Sequence, residues 1–94
     1  MAFEIRTLVE YEVWYKNLDY LVRAQIEKRL SSIKNEGHFG KTRHLEAGLC
    51  EIKFNNGLRI YFYRSGQNEI TLVLGGTKHG QNKDIEKAKK IFYR

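Results

Sequence analysis

The residues that could do chemistry alternate with apolar ones in two segments of the chain, residues 49–54 and 58–64. Lys53 in the first segment and Arg59, Tyr61 and Tyr63 in the second fall on the side of a β-strand opposite to the apolar residues. Lysine and arginine neutralise phosphates and tyrosine rings stack on unpaired bases, so the pattern indicates RNA binding. The alternative is the ordinary solvated face of a half-buried sheet. The predicted RNA-binding residues are Tyr61, Tyr63, Arg64, Lys41, Arg43 and Gln81.

A second candidate feature is the glycine-containing segment Gly75-Gly76-Thr77-Lys78-His79-Gly80-Gln81. Glycines let backbone amides come close to an anion, and the lysine adds a charge, so the segment predicts a phosphate-binding loop beside the basic sheet. The alternative is a plain connection between a strand and a helix. The spacing of a P-loop is absent, which argues against a nucleoside-triphosphate site.

Other catalytic chemistries have no motif in the chain. His38, His44, His79 and Cys50 are scattered without the spacing of metal ligands, and no nucleophile motif such as GxSxG occurs. We therefore predict neither a metal nor a cofactor. A single cysteine cannot form an internal disulfide, so Cys50 is expected to fill the core in a reducing compartment.

Composition limits the size of the fold and the kind of partner. The 94 residues suit one domain, residues 1–94, and 41% of them are hydrophobic, which is enough for a compact core. The net charge is +6 and the isoelectric point is near 9.6, so the expected partner is an anion such as nucleic acid, an acidic protein or an anionic membrane surface. No apolar run is long enough to span a bilayer and no signal peptide is evident, so we expect a cytoplasmic protein.

The first third of the chain predicts a strand followed by two helices. Apolar and polar residues alternate over residues 3–6, which predicts a short strand. Thr7 and Glu10 have the spacing of a capping box, which predicts the start of a helix. Asp19 can cap a second helix, whose apolar residues step by three and four up to the end at Gly37. Two adjacent amphipathic helices need a common surface against which to bury their apolar stripes.

The rest of the chain predicts a sheet and a last helix. Asn56-Gly57 between residues 49–54 and 58–64 predicts a type I′ hairpin, and residues 69–74 form a third strand that ends at Gly75-Gly76. Asp84 begins a helix with Ile85, Ala88, Ile91 and Phe92 facing inward. The predicted fold is α+β in the order β-α-α-β-β-β-α. It has an antiparallel sheet, two helices on one face and a basic, polar opposite face.

Several segments together resemble one protein family. They are Gly37-His38-Phe39-Gly40, Leu45, Gly48-Leu49-Cys50-Glu51-Ile52-Lys53, Gly57-Leu58-Arg59-Ile60-Tyr61-Phe62, Gly66, Leu72-Val73-Leu74-Gly75-Gly76-Thr77-Lys78, Gln81, Asp84-Ile85 and Ala88. In this order and spacing, from Trp14 to Ala88, they resemble the addiction-module killer proteins of the RelE/HigB superfamily of bacterial type II toxins.

The resemblance implies a RelE-like fold and an mRNA endoribonuclease that often acts in the ribosomal A site. It also implies a co-encoded antitoxin as partner, of the helix-turn-helix, HigA-like kind, and no membrane partner. Arg59 matches a basic residue with a catalytic role in the superfamily, Lys53 lies where the preceding strand usually offers a base, and Lys78 matches the lysine of the Gly-Gly-x-Lys segment. Cleavage needs deprotonation of the 2′-hydroxyl, stabilisation of the phosphorane charge and protonation of the 5′-oxygen.

The chain departs from the family pattern at Thr77, where an acid is common, and at His79, where a small polar residue is usual. His79 is a candidate general acid or base because its ordinary pKa is about 6.5. The predicted catalytic residues are thus Lys53, Arg59, Lys78 and His79. Two alternatives stay open: a gyrase-poisoning toxin of the ParE type, which needs no ribonuclease residues, and a basic RNA-binding module without catalysis.

Overall fold

The computed structural model describes residues 2–94, which form a five-stranded sheet with helices on both faces. The elements are β1 (Glu4–Thr7), α1 (Val9–Lys16), α2 (Tyr20–Glu36), β2 (Thr42–Glu46), β3 (Leu49–Lys53), β4 (Leu58–Gly66), β5 (Glu69–Thr77), a 3₁₀ turn (Lys78–Gly80) and α3 (Gln81–Tyr93). The strands lie in the order β1-β5-β4-β3-β2. The predicted α+β class is confirmed.

The sheet differs from the prediction at both edges. β2 is an additional strand, which has one apolar residue, Leu45, and therefore no alternation that could mark it in the sequence. β1 pairs in parallel with β5, with Ile5 opposite Ile70, so an entirely antiparallel sheet is wrong. The reason is that α1 and α2 carry the chain from β1 to the far edge of the sheet, and the four antiparallel strands then return to β1.

One of the three predicted helix starts is confirmed. The start at Asp84 is wrong, because the 3₁₀ turn leads directly into α3 at Gln81 and Asp84 lies in the first turn of that helix. Asp19 caps α2, since its side chain accepts a hydrogen bond from the Val22 amide at 3.0 Å, and Gly37 ends that helix in the left-handed conformation, with φ of 72°. The capping box at Thr7 is wrong. The hydroxyl of Thr7 donates to Glu12 instead, and α1 begins at Val9.

The β3–β4 hairpin is placed as predicted but has a different turn. The Gly57 amide donates to the Phe54 carbonyl and the Phe54 amide to that of Leu58, as in a type I turn followed by a bulge. Gly57 has φ of 88°, whereas within residues 2–94 the one non-glycine residue with positive φ is Ala47. The type I′ turn is therefore wrong, because it needs positive φ at Asn56 as well.

The first face of the sheet carries the predicted helical pair. Ile26 and Ile33 of α2 are fully buried against strand residues such as Ile52, Ile60 and Leu72. This packing confirms the apolar stripe that steps by three and four along α2. Within the described part of the chain, no helix is long and apolar enough to cross a membrane.

The second face is covered by α3 and is not the open polar face that the sequence analysis expects. Leu49, Tyr61 and Val73 of the sheet are fully buried and cluster with Ala88 of α3. A bulge in β5 opposite Tyr61 places both Val73 and Leu74 in this cluster, which gives α3 a broader apolar surface. The sheet is therefore buried on both faces over much of its area.

Trp14 links the two sides of the core at the edge of the sheet. Its side chain packs against both hydrophobic clusters. Gly75 lies directly beneath the indole, and a Cβ at this position would come within 2.2 Å of Cη2 of Trp14. The glycine is required because the ring occupies the space of a side chain.

We predict that Gly75→Ala lowers the free energy of unfolding by about 3 kcal/mol, because the new methyl group must displace a packed indole. Chemical denaturation measures the change. In a Trp14→Ala background the same substitution should cost much less, since the obstacle is gone. An equal cost in both backgrounds would contradict this account. Gly48→Ala is a contrasting case: no atom lies within 4 Å of the added Cβ, so its cost comes from the positive φ of 97° and should not depend on Trp14.

Candidate functional site

Backbone register places the predicted cations at one end of the sheet. Lys53 pairs with Arg59 across β3 and β4, and Arg59 pairs with Gly76 across β4 and β5. Lys78 follows β5 directly and donates its backbone amide to the Gly57 carbonyl at 2.8 Å. Its side chain lies beside Gly57. The hairpin turn and the end of β5 therefore form one surface.

Two further cations extend this surface along β2. The Lys53 amide donates to the Lys41 carbonyl at 2.8 Å, and Arg43 lies two residues further on. Lys41, Arg43 and Lys78 are exposed and Lys53 is half-buried. We call these four residues the cationic rim. His79 is exposed in the 3₁₀ turn, next to Lys78.

A buried carboxylate lies behind the rim. The side chain of Glu51 has no exposed surface, and Nε2 of Gln81 donates to its Oε2 at 2.6 Å. Nε of Arg43 lies 3.2 Å from Oε1, and Nε of Arg59 lies 3.9 Å from Oε2. No role for Glu51 was predicted from the sequence. The sequence feature that could have indicated its role is its position on β3 between Arg43 of β2 and Arg59 of β4, because a charge on a covered sheet face needs such partners.

Arg59 is turned toward the protein interior. Its side chain is 12% exposed, and Nη1 donates to the carbonyls of Leu58 at 3.0 Å and Phe54 at 3.4 Å. Within residues 2–94 Nε itself makes no hydrogen bond, and Glu51 neutralises the guanidinium through its charge at 3.9 Å. The expectation that Arg59 offers its charge on an open face is therefore wrong for this conformation.

The aromatic part of the predicted RNA surface is also covered. Tyr61 is fully buried under α3, and its hydroxyl has no hydrogen-bond partner. Burial, followed by the negative charges of Glu51 and Asp84, raises the pKa of this phenol. Tyr63 is half-buried and packs on Phe92, with ring centroids 5.1 Å apart. The prediction that Tyr61 stacks on an RNA base is wrong, because α3 occupies the space that the base would need.

Two other predicted contacts lie elsewhere. Arg64 extends over the ring of Phe3, 5.0 Å from its centroid, among the residues of the first face. Gln81 is engaged with Glu51, as described above. Of the residues predicted to bind RNA, the structure thus brings Lys41 and Arg43 to the same surface as Lys53 and Lys78.

Two of the three glycines of the predicted anion loop, Gly75 and Gly76, lie inside β5 and are buried. A Cβ at Gly76 would come within 2.0 Å of Oδ2 of Asp84. Burial raises the pKa of Asp84, although a hydrogen bond from the Thr77 backbone and the charge of Lys87 act in the opposite direction. The prediction that Gly75 and Gly76 bind a phosphate is therefore wrong, because Trp14 and Asp84 fill the space above these two glycines.

Comparison with known proteins gives one relative in sequence and several in structure. An uncharacterized protein of Haemophilus influenzae is 30% identical over 92 residues, which cover 95% of this chain and 92% of the relative. No family model matches the chain. The isolated E. coli RelE toxin superposes with a TM-score of 0.69 at 16% identity, over 96% of this chain and 99% of that one. The RelBE2 toxin-antitoxin complex of Mycobacterium tuberculosis superposes with a TM-score of 0.66 at 12% identity, over 82% of this chain and 99% of that one.

The chain has the RelE fold. It belongs to one family with the Haemophilus protein, because 30% identity extends over nearly the whole of both chains. The fold that the resemblance in the sequence implied is thereby confirmed.

Glu51 is expected to be a large contributor to the stability of this RelE-fold protein. Glu51→Ala should lower the free energy of unfolding by about 3 kcal/mol, because it leaves the nearly buried Arg59 without its counter-ion. Urea denaturation measures the change. Glu69→Ala removes the more exposed pair with Arg6 and should have a much smaller effect. Equal effects of the two substitutions would contradict the assignment.

Asp84 should give this RelE-fold protein a distinct pH dependence. Folding raises the pKa of this carboxyl group, so the folded state binds the proton more tightly than the unfolded state. The free energy of unfolding therefore falls as the pH rises above the ordinary pKa of an aspartate. Asp84→Asn should therefore raise the thermal midpoint at neutral pH and lose this advantage in acid. Thermal melts of the wild-type and Asp84→Asn proteins from acid to neutral pH provide the test. A stabilisation that is equal at all pH values would show that ionisation is not its cause.

Proposed function

We propose that this protein is the toxin of a type II toxin-antitoxin module and that it cleaves mRNA. The observation that supports the proposal is the cationic rim on a RelE fold, where Lys41, Arg43, Lys53 and Lys78 meet at one end of the sheet. An RNA backbone carries one negative charge per nucleotide, and adjacent lysine and arginine side chains suit such a target.

The chemistry assigned to the site uses the cations of the rim that form no ion pair within the described part of the chain, together with His79. Lys78 and Lys53 stabilise the charge that develops on the phosphorane, and His79 transfers a proton as general acid or base. Arg59 acts as a positioning residue in this scheme, because its guanidinium is held by Glu51 and by the backbone of the hairpin turn. It fixes the turn beside which Lys78 packs.

The partners that we propose are a co-encoded antitoxin, of the helix-turn-helix, HigA-like kind, and mRNA bound by the ribosome, in the cytoplasm. Support for an antitoxin comes from the solved complexes of the same fold. The intact E. coli RelBE toxin-antitoxin complex superposes with a TM-score of 0.64 at 18% identity, over 81% of this chain. The positive charge of the chain favours an antitoxin with an acidic contact surface.

A second candidate function is RNA binding without cleavage. It is favoured by the internal ion pair of Arg59 with Glu51, which leaves the rim with fewer charges for catalysis than the sequence analysis expects. Such a module would bind RNA with an affinity that falls steeply with salt and would yield no product.

Expression of the chain alone should arrest growth and produce new 5′ ends in cellular mRNA, which primer extension detects. Lys78→Ala should reduce cleavage roughly tenfold or more, because removal of one charge-stabilising group costs at least that much in the transition state. His79→Ala should reduce cleavage while RNA binding is retained. Co-expression of the neighbouring gene should restore growth.

The matched control is Arg64→Ala, which removes the same charge on the first face of the sheet and should leave cleavage unchanged. RNA binding without new 5′ ends would favour the second candidate function. Arrest with intact mRNA and inhibited supercoiling would favour a gyrase target instead. Cleavage that survives Lys53→Ala, Lys78→Ala and His79→Ala would contradict the assigned site.

A further inference from the structure

A cavity of about 440 Å³ lies between α1, α2 and the free edge of β1, away from the cationic rim. Glu12 of α1 and Glu27 of α2 both line it, together with Tyr11 and Tyr15 of α1. Ile5 and Leu30 contribute an apolar surface. The cavity therefore combines carboxylates with aromatic rings, although the chain as a whole carries a net charge of +6.

Each carboxylate has one oxygen engaged by a hydroxyl group. Thr7 donates to Oε2 of Glu12 at 2.7 Å, and Tyr15 donates to Oε2 of Glu27 at 2.7 Å. Lys34 also lines the cavity, but within residues 2–94 no salt bridge joins it to either glutamate. Both carboxylates are thus held in place by hydroxyl groups, and neither forms a salt bridge within the described residues.

The hydroxyl of Tyr11 is the second feature that points to a ligand. Tyr11 is 2% exposed, and its hydroxyl has no hydrogen-bond partner. A buried polar group without a partner is costly, and native proteins rarely keep one without a reason. Glu12 and Glu27 are both exposed, so a cation that draws one of these carboxylates inward over the phenol would supply the missing acceptor.

The geometry of the walls favours a planar organic cation. The ring of Tyr15 is half-buried and packs on that of Tyr11, with centroids 5.8 Å apart and planes at 25°, so Tyr15 is held in place and a guanidinium can stack on its open face. Its five donors also match carboxylate pairs, while an aliphatic stem can cover Ile5 and Leu30. Among residues 2–94, no cluster of three or more histidine, cysteine, aspartate or glutamate residues could hold a metal ion.

The edge of β1 indicates that the cation belongs to a polypeptide. The amides of Glu4 and Leu8 donate to the carbonyls of Asn68 and Leu72, so in a parallel ladder the backbone groups of Ile5 and Thr7 point away from β5. Ile5 and Thr7 both line the cavity. A peptide that crosses this edge can therefore form backbone hydrogen bonds while its side chain enters the cavity.

We propose that the cavity between α1, α2 and β1 binds an arginine side chain of a protein partner. Glu12 and Glu27 pair with the guanidinium, the half-buried ring of Tyr15 stacks against it, and the buried hydroxyl of Tyr11 lies beneath the carboxylates. The inference does not depend on the proposed ribonuclease activity, because the residues of the cationic rim take no part in it.

The test is a titration of the ¹⁵N-labelled protein with the blocked tripeptide acetyl-Gly-Arg-Gly-amide, followed by amide chemical shifts. Shift changes should be confined to β1, α1 and α2, with a dissociation constant on the order of 1 mM, as expected for a single anchoring side chain. Free arginine should bind more weakly, since it lacks the peptide groups that pair with β1. The citrulline tripeptide, which is isosteric and uncharged, should not bind.

Variants separate the site from general electrostatics. Glu27→Gln should weaken binding roughly tenfold, as should Glu12→Gln, whereas Glu36→Gln, a change at an exposed carboxylate further along α2, should have no effect. Tyr11→Phe should weaken binding but leave the thermal midpoint of the free protein unchanged or higher, because it removes an unpartnered hydroxyl.

Absence of shifts at about 20 mM tripeptide, or equal binding of the citrulline tripeptide, would overturn the proposal. Equal binding of the corresponding lysine tripeptide would overturn the choice of arginine, and equal binding of free arginine would overturn the choice of a peptide. A Tyr11→Phe protein that melts lower and binds normally would show that the phenol serves the fold alone.

Discussion

The structure of the functional end of this protein depends on the burial of one carboxylate. Glu51 has no exposed surface, and an isolated charge in that position would be too costly for a protein of this size. Its compensation comes from three other elements: Arg43 on β2, Arg59 on β4 and Gln81 at the start of α3. The same interactions that neutralise the charge therefore fix the positions of the strands and of α3 around the hairpin end.

This constraint divides the cations at the hairpin end into two kinds. Arg59 is held by Glu51 and by backbone carbonyls, so it stabilises the turn at the cost of its availability to a ligand. Lys41, Lys53 and Lys78 have no such carboxylate beside them in the described part of the chain, and their charges remain free for an anion. Arg43 is intermediate, because it pairs with Glu51 while about half of its side chain stays exposed.

The sequence could predict the strands and helices whose signals are local. The alternation in β3 and β4, the cap at Asp19 and the end at Gly37 each follow from the residues themselves, and each is confirmed. The covering of the second face by α3 could not be found from alternation alone, because the same pattern suits a solvated face and a face with a buried charge. Leu49 and Val73 on that face were the available signal, since apolar residues there need a cover.

The candidate site was harder to predict than the fold because it depends on where side chains end, not on where strands lie. Register alone brings Lys53 next to Arg59, but it does not reveal that the guanidinium of Arg59 turns toward Glu51 while Lys53 forms no ion pair within the described residues. That difference is decided by Glu51, and so by α3, which lies far along the chain. The role of the β5 glycines was hidden for the same reason. The space above Gly75 and Gly76 is filled by Trp14 and Asp84, which lie far from them along the chain or on another element.

The order of the strands also explains how a chain with a net charge of +6 can present surfaces of opposite sign. β1 and β2 form opposite edges of the sheet, and the carboxylates of the cavity lie at the first edge while Lys41 and Arg43 lie at the second. Because surface charges are screened over about 8 to 10 Å at physiological salt, the two edges act almost independently. An anion at the hairpin end and a basic segment at β1 can therefore be bound without competing for the same groups.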